Sequence, residues 1–157
     1  MTQIVVNTER ADQPDVEAFM LLSDKIAAEL YPESARRPSG DANLASPDVL
    51  ILLARSSSGS AAGCCALHLK LDNTGELKRM VVNPNFRERG VGKALVAAVC
   101  ELAEARGLKS IQLEVGVRNV AAYSIYKSAG FETREPFGDH SASLMSHFME
   151  RSCRSRS

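Results

Sequence analysis

The sequence predicts a mixed α/β domain, and three observations support this fold class. Patterns typical of strands and helices alternate along the 157 residues in the order strand, helix, three strands, helix, strand, helix and two strands. Short polar turns separate the three consecutive strands, which favours an antiparallel meander. The helix patterns carry their apolar residues on one face, as helices that cover a sheet do. A chain of this length usually forms one domain, which we expect to span residues 1–150.

The first half of the chain supplies one helix and four strands. The helix is predicted over residues 14–30, where apolar residues recur at helical spacing and Pro14 suits the first turn. Residues 31–47 hold three prolines and a glycine, and we expect them to be mainly a loop. The strands are predicted in the segments QIVVNTE, DVLILLARS, CCALHLKLD and ELKRMVV, with the turn SSGSAAG before the third of them.

The second half supplies two helices and three strands. The longer helix begins near Val91 and is ended by Gly107. The shorter helix can be capped by Asn119 and is ended by Gly130. The segment SIQLEV between the helices predicts a strand, and FETR and MSHFMER predict the last two strands, joined by a polar loop at residues 134–144.

Composition argues against several classes of function. Lys and Arg together number 19, as do Asp and Glu, so no net charge indicates a nucleic-acid or membrane-surface partner. No apolar run approaches the ~18 residues of a membrane span, and the N-terminus lacks the pattern of a signal peptide. The four cysteines and three histidines show no metal-ligand spacing, so we expect a cytoplasmic protein without a metal site. The basic, serine-rich residues 151–157 predict a disordered tail.

The segment FRERGVGKAL joins a strand to the longer helix and indicates an anion site. Gly90 and Gly92 carry no Cβ, so backbone N–H groups at the helix start can approach a ligand closely. Arg87, Arg89 and Lys93 oppose the helix dipole unless an anion is bound there. The segment lacks residues that a P-loop or a dinucleotide-binding fingerprint requires. The alternative is an ordinary glycine-containing loop with solvated charges.

Two motifs together resemble the GCN5-related N-acetyltransferases, the GNAT superfamily. The segment RERGVG, which follows a strand and opens a helix, resembles motif A of that family, and NVAAYSIYKSAGF resembles its motif B. The resemblance covers residues 76–131 and implies a mostly antiparallel central sheet of six to seven strands flanked by helices. The segments LYPES, GELKRMVVNP and PFGD further resemble a bacterial acetyltransferase subgroup with Gly-Glu-Ile/Leu-Lys-Arg-Met and Pro-Phe-Gly-Asp motifs.

The resemblance implies acetyl-CoA as the cosubstrate. Main-chain N–H groups at the helix start would hold the pyrophosphate, and the main chain of Met80 and Val82 would pair with the pantetheine arm. The N–H group of Met80 would polarise the thioester carbonyl, Asn119 would contact the CoA arm, and the Tyr126 hydroxyl would face the sulfur. The expected cofactor-binding residues are Met80, Val81, Val82, Arg87, Glu88, Arg89, Gly90, Val91, Gly92, Lys93, Ala94, Asn119 and Tyr126.

Glu76 and Tyr126 are the candidate catalytic residues. The resemblance implies that Tyr126 protonates the leaving thiolate, whereas without it the residue would be interpreted as a core tyrosine. Glu76 lies eleven residues before Arg87, where the histone-acetylating branch of the family places its catalytic glutamate. The alternatives for Glu76 are an ion pair with Lys78 or a water chain that replaces a side-chain base. His68 is a weaker candidate.

The acceptor site is expected in the loops at 31–47 and 134–144. Tyr31, Glu33 and Glu76 are the predicted substrate-binding residues, and the other polar candidates are Arg36, Arg37, Arg134, Glu135, Asp139 and His140. Their mixed charges select no substrate class. We therefore expect direct transfer to a primary amine, with a small metabolite favoured over a protein amine. A non-catalytic acyl-CoA-binding module is the competing hypothesis, and a homodimer through the last strands is possible.

Overall fold

The structure, a computed structural model, describes residues 3–31, 44–138 and 140–153. In these residues three α-helices and seven strands follow the order predicted from the sequence, which confirms the mixed α/β class. The elements are β1 (Ile4–Glu9), α1 (Pro14–Leu30), β2 (Val49–Ser56), β3 (Ala61–Leu69), β4 (Thr74–Val82), α2 (Val91–Ala105), β5 (Ser110–Gly116), α3 (Val120–Ser128), β6 (Glu132–Arg134) and β7 (Ser146–Ser152).

The strands form one sheet in the order β1-β2-β3-β4-β5-β7-β6. Neighbouring strands are antiparallel except β4 and β5, which run parallel because the chain crosses over through α2 between them. Their pairing is short and joins residues 74–77 to residues 110–113. The predicted mostly antiparallel sheet of six to seven strands is therefore confirmed.

Helices cover both faces of the sheet. Helix α2 buries Leu95 and Val99 completely, and they pack in one cluster with Leu113 of β5. Helix α1 buries Val16 and Phe19 on the opposite face. Burial of one such large apolar side chain stabilises the fold by about 1.5–3 kcal/mol, so each helix is held mainly by its apolar face.

A bulge interrupts β4 in the middle of the sheet. Two β4 residues, Arg79 and Met80, lie opposite the single β3 residue Cys65, because the register shifts there. Arg79 has a φ of +58°, which is unusual for a residue with a side chain. Its guanidinium bonds to Asp24 of α1 at 2.9 Å and to the carbonyl of Met20 at 3.3 Å. Helix α1 therefore anchors the bulge, and a bulge bends the strand that carries it.

Two sequence-based boundaries require correction. Strand β3 begins at Ala61 rather than Cys64, because the hairpin closes tightly at Gly59 and leaves Ala62 fully buried in the sheet. Residues 151–153, which were predicted to belong to a disordered tail, are ordered, because β7 runs to Ser152 and Cys153 N–H donates to Lys109 O at 2.8 Å. Residues 154–157 lie outside the described residues.

Candidate active site

The central feature of the site is the point where β4 and β5 separate. Their last paired residues are Leu77 and Leu113. Beyond them β4 continues to Val82 in pairing with β3, and β5 continues to Gly116 in pairing with β7. The main-chain groups of residues 78–82 that face β5 are therefore not paired with it. An unpaired strand edge of this kind can hydrogen-bond an extended ligand.

The start of α2 lies directly after this stretch of β4. Gly90 occupies the N-cap with a φ of +75°, which glycine adopts without the penalty that a Cβ brings, and Glu88 has a φ of +63°. The first turn contains no acidic residue, and Arg89 stacks on the Phe86 ring at 5.5 Å. Ala94 N–H donates to Gly90 O at 3.0 Å, so only the N–H groups before it lack an intrahelical acceptor. These groups suit an anion.

Gly92 has a different role from Gly90. A Cβ on Gly92 would lie 2.7 Å from Ile125 Cδ1 and 3.8 Å from Met80 Cε. The missing side chain therefore lets α3 pack closely against α2 and β4. This contact positions Tyr126, the residue after Ile125, next to the bulge.

Tyr126 lies on the α2 and α3 face of the sheet. It is 6% exposed, its ring packs against Phe131 at 5.7 Å, and its hydroxyl lies 3.9 Å from Met80 Sδ. Burial raises the pKa of Tyr126 well above its usual range. The hydroxyl therefore stays protonated at neutral pH and lies beside the strand separation.

Glu76 lies on the opposite face, because its neighbour Leu77 points into the cluster under α2. The Glu76 side chain is 5% exposed. Its Oε1 lies 3.2 Å from Lys70 Nζ and 3.9 Å from Lys78 Nζ, so the ion-pair partner expected from strand alternation is the more distant one. Its Oε2 lies 3.1 Å from His140 Nε2. Glu76 therefore contacts two cations and an imidazole.

His68 is the cross-strand neighbour of Glu76 and lies on the same face. Burial, together with the charges of Lys70 and Lys78, lowers the pKa of His68. The His68 ring is therefore harder to protonate than an ordinary histidine.

His140 is fixed by the aromatic rings around it. Its ring lies 4.7 Å from that of Phe137 and 5.6 Å from that of Phe148, and its main-chain N–H donates to Phe137 O at 3.0 Å. The second ring nitrogen, Nδ1, is buried without a hydrogen bond and lies 3.7 Å from Glu114 Oε1. The sequence marked His140 only as one polar loop residue and did not mark Glu114. The signal for Glu114 was the single charged side chain in the central strand β5.

Tyr31 and Asn119 meet at the end of β5. The Tyr31 hydroxyl donates to Asn119 Oδ1 at 2.9 Å and accepts from Arg118 N–H at 2.9 Å. Asn119 occupies the N-cap position of α3, but its side chain makes no capping bond, so the predicted cap is wrong in that respect. Instead of capping α3, the Asn119 side chain accepts the hydrogen bond from Tyr31, 88 positions earlier in the sequence. The predicted substrate-binding residue Glu33 lies outside the described residues, as do Arg36, Arg37 and Asp139.

Two other residues predicted for the acceptor site, Arg134 and Glu135, lie at the end of β6 and directly after it. Arg134 bonds to Glu150 Oε1 at 2.7 Å, and Glu135 is exposed. Although burial raises the pKa of Glu150, hydrogen bonds from Ser110, Gln112 and Arg134 lower it overall. Arg134 therefore belongs to an ion pair on β6 and β7.

A model of the acetyltransferase (GNAT) family matches residues 17–131, which is most of the chain. The chain belongs to the GNAT family. A GNAT relative, the IAA acetyltransferase of Azospirillum brasilense, is 32% identical over 152 residues, 96% of this chain and 99% of the relative. Since members of this family are acetyltransferases, the predicted enzyme class, an acyltransferase, is confirmed.

Solved GNAT structures share the fold. A Klebsiella pneumoniae protein assigned as an acyl-CoA N-acyltransferase has a TM-score of 0.81 and 27% identity, and the match covers 97% of this chain and 99% of that one. The spermidine N-acetyltransferase of Vibrio cholerae, in complex with CoA and spermine, has a TM-score of 0.70 and 15% identity, with 96% and 95% covered. GNAT acetyltransferases use acetyl-CoA.

Metal-binding clusters and membrane-spanning helices are both absent from the described residues. Within residues 3–31, 44–138 and 140–153, no group of three or more His, Cys, Asp or Glu side chains is arranged to hold a metal ion. None of the helices in this part of the chain has the length and apolar character needed to span a bilayer.

Proposed function

We propose that the protein transfers the acetyl group of acetyl-CoA directly to a primary amine of a small metabolite. The observation that carries the proposal is the separation of β4 from β5, which has Tyr126 on one face and Glu76 on the other. A thioester held in the separation would meet a proton donor from one side and an amine from the other. This is the arrangement that acyl transfer in a ternary complex requires.

The donor is proposed to lie along β4 and the start of α2. Main-chain N–H groups of residues 89–93 hold the pyrophosphate beside nearby positive charges, and Asn119 contacts the CoA arm. The N–H group of Ala94, which was expected to contribute, is already bonded to Gly90 O. Residues 80–82 pair with the pantetheine arm as an additional strand would. The Met80 N–H group then donates to the thioester oxygen, and one such donor contributes about 10²–10³-fold in rate.

The proton transfers are assigned to Glu76 and Tyr126. Glu76 removes one proton from the substrate ammonium, and the neutral amine attacks the thioester carbon. The carbon–sulfur bond breaks while the Tyr126 O–H protonates the leaving thiolate. The second amine proton then replaces the one that Tyr126 has donated. Each turnover therefore leaves one net proton on the Glu76 side.

Direct transfer is favoured over an acetylated cysteine. Burial raises the pKa of Cys64 to about 12 and raises the pKa of Cys65 further. The nucleophilic form of a cysteine is the thiolate, so neither residue is an effective nucleophile at neutral pH. Both are fully buried inside β3.

The acceptor is proposed to bind on the Glu76 face, with Tyr31 and Glu33 as the other contacts. Glu76, Glu114 and Glu150 all lie on this face because they alternate with buried apolar residues along β4, β5 and β7. Carboxylates favour a cationic amine. A protein amine is the second candidate, and a non-catalytic acyl-CoA-binding module is the third.

Further proposals concern the setting of the enzyme. We propose a single domain that includes residues 1–150 and the end of β7, membership of the bacterial subgroup with the Lys-Arg-Met and Pro-Phe-Gly-Asp motifs, a cytoplasmic location and a possible homodimer. No nucleic acid, membrane or metal is required by the proposed reaction.

The test is CoA release from acetyl-CoA across a panel of small amines, polyamines and peptides. A small amine with a clearly higher kcat/KM than any peptide supports the proposal, and a peptide preference supports the second candidate. A rise in Tm with CoA but no turnover on any acceptor supports the non-catalytic module. No rise in Tm with acetyl-CoA or CoA contradicts the donor assignment.

A further inference from the structure

The His140 imidazole lies between two carboxylates that belong to different strands. Nε2 is 3.1 Å from Glu76 Oε2 on β4, and Nδ1 is 3.7 Å from Glu114 Oε1 on β5. The rings of Phe137 and Phe148 hold the imidazole in this orientation. The side chains of Glu76, His140 and Glu114 are only 5%, 15% and 17% exposed. We call these three residues the carboxylate–imidazole cluster.

When its imidazole is neutral, the cluster has one proton fewer than it needs for an N–H to face each of the two carboxylates. A neutral imidazole carries one N–H, so one of its nitrogens presents a lone pair to a carboxylate, which also offers only lone pairs. Adding one proton gives an imidazolium with an N–H directed at each carboxylate. When the neutral ring carries its proton on Nδ1, which faces Glu114 and makes no hydrogen bond, the Nε2 lone pair lies 3.1 Å from Glu76 Oε2, and Nε2 is the position where the additional proton is missing. The geometry of the cluster therefore favours uptake of a single proton.

The two oxygens of the Glu76 carboxylate have different neighbours. Lys70 Nζ lies 3.2 Å and Lys78 Nζ 3.9 Å from its Oε1, on the side away from His140. A proton that reaches the Glu76 carboxylate can therefore pass from Oε2 to the imidazole. Imidazole is the side chain that ordinarily exchanges protons near neutral pH, and it contacts the other oxygen of the same carboxylate.

We propose that His140 receives, through Glu76, the proton that the acceptor amine loses, and that Glu114 stabilises the resulting imidazolium. An N–H bond of the substrate breaks as an O–H bond forms on Glu76, and this O–H bond breaks as the N–H bond forms at Nε2. His140 and Glu114 act through Glu76 and are positioning residues. The inference rests on the proposed acetyl transfer and adds a destination for its net proton.

Other charged groups around the cluster must be considered in its pH dependence. His68 on β3, Lys78 on β4 and Lys70 in the turn between these strands face it. Glu150, already bound by Arg134, faces the same side from β7. These groups are unchanged in the variants used below.

The test compares His140→Gln with wild type on the best amine from the panel. The glutamine amide can still donate to Glu76 but cannot accept a proton there. We expect kcat to fall at least ~10-fold, the KM for acetyl-CoA and the Tm to stay unchanged, and the acidic limb of the kcat–pH profile to change shape. In Glu114→Gln that limb should move to lower pH, because the imidazolium loses a counter-charge. His147→Gln on β7, which stacks on Tyr123 at 5.0 Å, is the matched control.

A second measurement separates proton transfer from folding of the loop. Added imidazole should restore part of the activity of His140→Ala but none of the activity of Glu76→Gln. Retention of kcat within twofold and an unchanged pH profile in His140→Gln would overturn the inference while leaving acetyl transfer intact. If wild type transfers no acetyl group to any amine, the proposed function fails instead.

Discussion

The Tyr31 hydroxyl occupies the space that a side chain at Gly116 would need, because a Cβ at Gly116 would lie 1.9 Å from Tyr31 Oη. Through this contact the end of α1 rests on the end of β5, beside the strand separation. The same hydroxyl bonds to Asn119 Oδ1 and to the N–H group of Arg118.

Gly116→Ala should displace Tyr31 and break both hydrogen bonds. We expect the free energy of unfolding to fall by about 1–3 kcal/mol, the usual cost of inserting a methyl group into a packed contact. Urea denaturation measures it. In a Tyr31→Ala background the same substitution should cost less than half as much, because the obstacle has been removed. Equal costs in the two backgrounds would show that the contact is not the reason for glycine.

The two glycines at the start of α2 should respond to different second changes. Gly92→Ala forces Ile125 to move, so Ile125→Val should relieve much of its effect on Tm. Gly90→Ala places a Cβ in open space but at a φ of +75°, so it should lower stability by about 1 kcal/mol whatever residue 125 is. Thermal unfolding of the single and double variants checks this. Equal rescue of both glycine variants by Ile125→Val would refute the distinction.

Tyr126→Phe should separate catalysis from folding. Removing the hydroxyl should lower kcat by about 10²-fold if it protonates the thiolate. Stability should change little, because the described contact of the hydroxyl is the 3.9 Å approach to Met80 Sδ. Burial raises the pKa of Tyr126, so the wild-type rate should not decline near pH 10 through loss of this proton. Steady-state kinetics against pH test both points, and an unchanged kcat in the phenylalanine variant contradicts the assigned role.

Arg55 and Glu9 should make the fold sensitive to acid. Arg55 donates two 2.8 Å hydrogen bonds to Glu9, and these bonds lower the pKa of Glu9. A carboxyl whose pKa is lower in the folded state stabilises the fold above its unfolded pKa, and this contribution is lost as the pH falls through the folded value. Arg55→Met should therefore cost about 1–2 kcal/mol at pH 7 and progressively less below pH 4.

The control for this prediction is the exposed pair of Arg10 and Asp12. Their side chains are 83% and 63% exposed, so Arg10→Met should leave the stability curve nearly unchanged. Denaturant titrations from pH 7 to pH 2.5 measure both variants. A pH-independent cost for Arg55→Met would mean that packing, rather than the charge of Glu9, accounts for it.

The order of elements could be predicted because apolar periodicity is a local property of the chain. The α1 helix, for example, was predicted with the bounds that the structure has. Relationships between distant residues could not be predicted in this way. Asn119 has the residue type of a cap, but Tyr31, 88 positions earlier, binds its side chain. Gly92 matched an anion-site motif, and only the packing of α3 shows the second reason for a glycine there.

In the candidate site, too, the sequence indicated individual residues but not the contacts between distant ones. Glu76 and Tyr126 were found from their positions near recognisable motifs, and their assigned roles stay predictions. The contact of Glu76 with His140 joins residues 64 positions apart and depends on how the loop after β6 folds. The bulge at Arg79 has no sequence signal, because a positive φ is not expected of arginine.

The separation of β4 from β5 leaves an unpaired strand edge inside the sheet. Unpaired strand edges are ordinarily sites where a second chain adds its own strand and aggregation begins. Here the unpaired side of β4 lies in the fourth of seven strands, with β5 and β7 beyond it, whereas the outer edges of the sheet are β1 and β6. The sheet therefore keeps hydrogen-bonding capacity for a slender ligand in its interior, where another protein molecule cannot dock alongside it.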